Sequence, residues 1–196
     1  MGSGWQVEEF GEHHKGRAVA VLEDGSEPKP ALFDTGSAGS VHQTTDWHVY
    51  NGTLRQPLAT ALRGGCSCGW RGDTVHPIAW EQDEDGEPWA DSPPGPQDDW
   101  VQHMHDTEAR AVPVPQDITD LLAQLDTKVQ HLTAESPAAA LRAVAALKRI
   151  AETAGKTAAF NLGSDANAGE LSWEEIAVSL GLPERDAHSE VYQYLH

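Results

Sequence analysis

Cys66 and Cys68 are the only cysteines among 196 residues, and one residue separates them inside Gly65-Cys66-Ser67-Cys68-Gly69-Trp70. That spacing constrains the chain more than any other feature. A disulfide between positions i and i+2 would be strained, and in a cytosolic chain such a pair is metal-bound or free. Gly64, Gly65 and Gly69 let the backbone turn tightly and aim amides at the sulfurs. Zinc in a structural role takes thiolate and imidazole in a closed tetrahedron, so the two cysteines can fill two corners. His103, in Asp99-Trp100-Val101-Gln102-His103-Met104-His105-Asp106, is the expected third ligand. His105 stands two residues further on and would face another side of a helix. His42, His48 and His76 flank the cysteine segment, and His42 is the expected fourth ligand. Donor type alone leaves copper and iron open. The plain alternative is a pair of unliganded thiols among solvent-facing histidines. Trp47, Trp70, Trp80, Trp89 and Trp100 are expected around the site, as core rather than as a pocket lining.

The charge balance limits the partners. The formal net charge is -18, with 19 acids against 7 bases in 1–116 and 12 against 6 in 117–196. Nonspecific phosphate binding needs clustered Lys and Arg, so both halves disfavour nucleic acid. The charge fits a basic protein partner, or serves salt-tolerant solubility alone. No apolar run approaches a membrane span, and the N-terminus lacks the basic-then-apolar pattern of a signal peptide. A cytoplasmic location is the default expectation.

Hydrophobic residues make up 39% of the chain, beside 18 glycines and 12 prolines, which implies a thin core with long irregular connections. The patterning predicts an α+β chain: a small β-rich metal-binding module over 1–112, then an all-α module over 117–196. Ala18 to Leu22 reads as a strand ended by Glu23-Asp24-Gly25, and residues 25–40 as a loop. Val41 to Tyr50, Asn51-Gly52 and Leu54 to Arg63 read as a hairpin, with a further strand from Thr74 to Trp80. Residues 81–99, rich in acids, proline and glycine, read as an exposed loop.

Pro113-Val114-Pro115 is a stiff connector. Beyond it Ile118, Leu121, Leu122, Leu125, Val129 and Leu132 recur at helical spacing, with Asp117 or Thr119 as cap. Ser136-Pro137 starts a second helix, carrying Leu141, Val144, Ala145, Leu147 and Ile150 and running to about residue 160. Leu162 to Gly169 reads as a loop. Ser172 and Glu175 form a capping box, and Trp173, Ile176, Ala177 and Leu180 make the apolar face of a short helix ended by Gly181. A last helix from Pro183 to Leu195 is expected to bury Ala187, Val191 and Tyr194.

The segment Ser172-Trp173-Glu174-Glu175-Ile176-Ala177-Val178-Ser179-Leu180-Gly181-Leu182-Pro183 resembles the helix-turn-helix element of actinobacterial regulators and sigma-factor-like domains. The resemblance covers 171–195 and implies a second helix that reads DNA. Here that helix carries Glu184, Asp186 and Glu190 against Arg185 alone, so its carboxylates oppose phosphates and the element is degenerate for DNA contact. Cys66-Ser67-Cys68-Gly69-Trp70 with its later Trp-x-x-His likewise resembles small zinc-knuckle segments of actinobacterial proteins, which implies a metal but no activity.

Three functions compete. The first is a noncatalytic, zinc-containing regulatory or adaptor protein that acts through protein contacts, with a homodimer among its expected assemblies. The second is a DNA-binding transcriptional regulator. The third is a small metalloenzyme of the His- and Cys-rich half, with Asp46, Asp73, Asp99 or Asp106 as acid-base groups. The deaminase and His-Glu-x-x-His signatures are absent from the sequence, and no phosphate-cradling glycine loop or nucleophile elbow is present.

Overall fold

Small residues decide how the first sheet is built. Strand β1 (Gly16–Val21) pairs antiparallel with β4 (Ala61–Cys66), Gly16 opposite Cys66, Ala18 opposite Gly64 and Ala20 opposite Leu62. Side chains alternate along a strand, so these six share one face. The computed structural model describes residues 4–7, 11–34 and 41–195, and the side chains of Asp34, Val41 and His42 fall outside the described ones. It divides into two compact units, Met1–Thr107 and Glu108–His196.

Helix α1 (Gly95–Arg110) lies against the small-residue face. A Cβ on Gly16 would stand 2.5 Å from the Trp100 ring, and one on Gly64 would stand 2.6 Å from the Pro96 carbonyl oxygen. Real side chains do not approach so closely, so the glycines are what admit the helix. The other end of the same face joins a core of Ala20, Ala31, Trp47, Tyr50, Ala59, Leu62 and Ala90.

The remaining strands are short. β5 (His76–Pro77) extends the β1-β4 sheet, β2 (Ala31–Asp34) pairs with β3 (Val41–Thr44), and β6 (Glu81–Gln82) pairs with β7 (Pro88–Trp89). The expected hairpin around Asn51-Gly52 therefore does not form. β3 stops at Thr44, a 3-10 turn takes Trp47–Val49, and the strand after it starts only at Ala61 and pairs with β1. Asp46 accepts the His48 N–H and so starts that turn, while Leu54 and Arg55 adopt φ of 49° and 64°, which breaks the extended chain. One bridge, Asn51 to Leu58, is what remains of the hairpin.

Two stretches expected to be loops hold regular structure. β2 falls within 25–40, of which 35–40 lie outside the described residues. The acidic segment 81–99 folds into the β6-β7 hairpin and the start of α1. The Asp83 carboxylate accepts the N–H groups of Asp85 and Glu87, and Gly86 supplies a φ of 81°.

The second unit is helical: α2 (Gln116–Glu135), α3 (Pro137–Ala168), α4 (Trp173–Leu180) and α5 (Glu184–Tyr192), then a 3-10 turn over Gln193–Leu195. Neither Asp117 nor Thr119 caps α2, which begins at Gln116 behind Pro115. Pro137 occupies the first turn of α3 as expected, but the Ser136 side chain makes no capping bond. α3 also runs through 162–168, expected to be a loop. Leu162 and Ala166 pack on the cluster of Ala159, Ile176 and Val191, and that burial overrides weak local propensity. The Ser172–Glu175 capping box and the left-handed Gly181 cap of α4 both form. Ala187 and Val191 are buried, whereas Tyr194 is exposed, its ring lying over Gly155. Among the described residues no helix is long and apolar enough to cross a membrane.

Candidate metal centre

β4 ends in a tight turn built by its own amides. The Cys66 N–H donates to the Trp70 carbonyl at 3.0 Å, Gly69 N–H returns to the Cys66 carbonyl at 3.0 Å, and Trp70 N–H points at the Cys68 sulfur at 3.4 Å. Gly69 holds a φ of 104°, which a side chain would resist. The turn thus presents both sulfurs and gives one of them an amide donor.

The segment before β1 is tied to this turn. Ser67 N–H donates to the Lys15 carbonyl, Lys15 N–H donates to the Ser67 hydroxyl, both at 2.9 Å, and that hydroxyl donates to the His13 carbonyl at 2.8 Å. The register that sets Gly16 opposite Cys66 therefore continues outward, and it delivers His14, at the end of a 3-10 turn over Gly11–His14, to the cysteines. On the third side α1 contributes His103, one turn beyond Asp99 and beside the buried Trp100 and Met104.

Four donor atoms converge. Cys66 Sγ is 3.5 Å from His14 Nδ1, Cys68 Sγ is 3.4 Å from His103 Nε2, and all four donors lie within 4.8 Å of one another. With Zn–S near 2.3 Å and Zn–N near 2.0–2.1 Å, the S···N edge of a tetrahedron is about 3.6 Å. Both observed pairs match that edge. Two thiol–imidazole hydrogen bonds would explain each pair alone, but not the gathering of both pairs at one point. His14, Cys66 and His103 are buried and Cys68 is half-buried. The set has the composition and spacing to hold a metal ion.

Electrostatics favour the liganding form of the sulfur. The Cys66 thiol is held far below its ordinary range, chiefly by its hydrogen bond with the Cys68 side chain and further by His103 and His14, against the opposing effect of burial. A depressed thiol is the anionic species that metals bind. The Trp70 ring stacks on His103 with centroids 4.4 Å apart and planes 5° from parallel, which fixes the imidazole. Trp5 and Trp100 pack behind Cys66.

No family model matches the chain, no curated protein matches it, and no solved structure matches it. The donor geometry is therefore what speaks for the site.

Of the residues singled out in the sequence, Cys66, Cys68 and His103 come together. His42 lies on β3, across from Phe33, and its side chain is outside the described residues. The fourth donor of the cluster is His14, which is not among the expected ligands. No local pattern marks it: His14 reaches the cysteines only through the pairing of β1 with β4 and the Lys15–Ser67 hydrogen bonds that continue it. The other histidines have different work. His76 Nε2 meets Asp99 Oδ2 at 2.9 Å, His48 meets Asp46 at 2.8 Å and stacks on Trp47, and His105 is exposed on α1. The tryptophans divide as well. Trp70 and Trp100 join Trp5 at the cysteines, Trp47 and Trp80 belong to the separate sheet core, and Trp89 is exposed. They are packing groups, and the expected five-tryptophan cluster around the metal donors does not form.

Proposed function

We propose that His14, Cys66, Cys68 and His103 bind one zinc ion in a structural role, and that the protein is a noncatalytic regulator or adaptor acting through protein contacts. The observation that carries this is the convergence of four donors from three separate segments within 4.8 Å. Four protein ligands leave no coordination position for a substrate or an activated water, which distinguishes a structural site from a catalytic one. Mixed thiolate and imidazole donors suit zinc, whereas oxygen donors would suit magnesium or calcium. The ion would tie the N-terminal loop, the β4 turn and α1 to one point, in a unit whose sheets have few and short strands.

Elemental analysis of the purified, untagged chain tests the reading, with Cys66→Ser alongside. One zinc per chain, lost together with the fold of the first unit in the variant, is the expected result. No bound metal would overturn it. A metal whose removal left the fold intact would point instead to a sensing or catalytic site.

A second reading, a DNA-binding regulator, draws on the α4–Gly181–α5 arrangement, where three residues join a capped eight-residue helix to a nine-residue one. Its weakness is charge: Glu184, Asp186 and Glu190 stand with Arg185 on α5. A salt-sensitive shift of DNA by the full chain would favour it, and no shift at low salt would remove it.

A further inference from the structure

We propose that the helical unit pairs with a second copy of itself through the uncovered start of the α2 apolar stripe and the groove side of α3, the acidic α2 of each copy lying against the basic α3 of the other. The proposal is independent of the zinc reading, since all four metal donors lie in the first unit.

The starting point is a helix that is under-packed. α2 has 20 residues and none is buried, although Ile118, Leu121, Leu122, Leu125, Val129 and Leu132 give it an apolar stripe. Its packing on α3 covers Leu125, Val129 and Leu132 only in part, and leaves Ile118, Leu121 and Leu122 exposed. α3 leaves Ile150 and Phe160 exposed, each at 66%. An open groove runs along α3 past Ala146, Arg149, Ile150, Thr153 and Thr157. Most helical stability in proteins comes from packing an apolar face rather than from propensity, and two helices alone do not bury these.

Charge selects the occupant. α2 carries Asp117, Asp120, Asp126 and Glu135 against Lys128. α3 carries Arg142, Lys148, Arg149 and Lys156 against Glu152 and Asp165, and it is the one α-helix with net positive charge among the described residues. Arg142, Arg149 and Lys156 are seven residues apart, so they form a row along one side of the helix, and Arg149 lies on the groove. Among the described residues no ion pair joins α2 to α3. When two such hairpins close in an isologous pair, acidic and basic helices alternate around the bundle and like charges sit on the diagonals. The chain therefore holds both halves of the complementarity.

The test uses the full chain and two charge-reversed variants. One carries Arg142→Glu, Arg149→Glu and Lys156→Glu; the other carries Asp117→Lys, Asp120→Lys and Asp126→Lys. All six positions are exposed, and circular dichroism checks that helix content is kept. Light scattering across a concentration series should give the mass of two chains for the wild type and of one chain for each variant. An equimolar mixture of the variants should regain the mass of two chains, because each supplies the sign the other lacks. Ile150→Glu, a single exposed change, should weaken the wild-type dimer by about tenfold or more. A wild type that stays monomeric overturns the proposal. So does a dimer that Ile150→Glu leaves intact, or a variant mixture that stays monomeric.

Discussion

Trp70 lies flat on His103, ring against ring, while its backbone N–H points at the Cys68 sulfur. One residue thus orients two of the four donors by two different parts of itself. Substituting Trp70→Ala keeps the amide and removes only the ring. Groups that orient a metal ligand from outside the coordination sphere are worth about 10–100-fold in affinity. Trp70→Ala should therefore still bind one zinc but lose about tenfold in affinity, read by competition with a chromogenic chelator.

Gly16 tests how the helix is seated. It faces the Trp100 ring so closely that a Cβ would sit 2.5 Å from it, and Trp100 precedes His103 on the same helix by three residues. Gly16→Ala should push α1 off the sheet, destabilise the first unit by about 1–3 kcal/mol as overpacking does, and weaken metal binding at the same time. Gly163→Ala is the contrast. A Cβ there meets nothing within 4 Å inside α3, and replacing a mid-helix glycine gains up to about 1 kcal/mol. Thermal melts of the two variants should move in opposite directions.

Local chemistry was readable in the sequence, and long-range pairing was not. Cys66, Cys68 and His103 stood out because sulfur and imidazole at that spacing have few other uses. The Ser172–Glu175 box and Gly181 were readable because a cap is decided by residues three or four apart. His14 was hidden because its place depends on β1 pairing with β4, 52 residues distant from His14 to Cys66. Periodicity inside either strand says nothing about its partner. The Asn51-Gly52 turn failed for the same reason. It has local hairpin chemistry, but Trp47 and Tyr50 are drawn into the sheet core, and Ala61–Cys66 finds β1 instead. Helix 162–168 was missed because its stability comes from Ile176 and Val191, which follow it in sequence.

The capping box gives a prediction confined to the second unit. Ser172 Oγ accepts the Glu175 N–H at 3.1 Å, and Glu175 accepts the Ser172 N–H at 2.7 Å. Ser172→Ala removes the first bond and should cost the second unit about 1 kcal/mol, with metal content unchanged. The Glu175 carboxyl is held below its ordinary value, first by the Ser172 backbone N–H and then by its hydroxyl. A carboxylate with a lowered native pKa adds stability above the ordinary carboxylate range and loses it as the pH falls through the native value. The wild type and Ser172→Ala melting curves should therefore differ most near neutrality and differ less in acid, where only the bond from the Glu175 N–H to the Ser172 hydroxyl still separates them.

The cysteine site carries its own pH signature. The Cys66 thiol is depressed from 9.0, first by the Cys68 side chain and then by His103 and His14. Below 9.0 the unfolded chain holds a thiol proton that the folded chain has released, so the unfolded state binds more protons and folding stability rises with pH. The contribution is complete above 9.0 and is lost as the pH falls towards the native value. A bound metal steepens the same slope, because protons and metal compete for one set of lone pairs. Acidification should release zinc and lower the melting temperature of the first unit together. Calorimetry in two buffers of different ionisation enthalpy would read the same coupling directly. Zinc binding should release protons to the buffer, and a binding enthalpy that did not depend on the buffer would show that no thiol or imidazole proton is displaced.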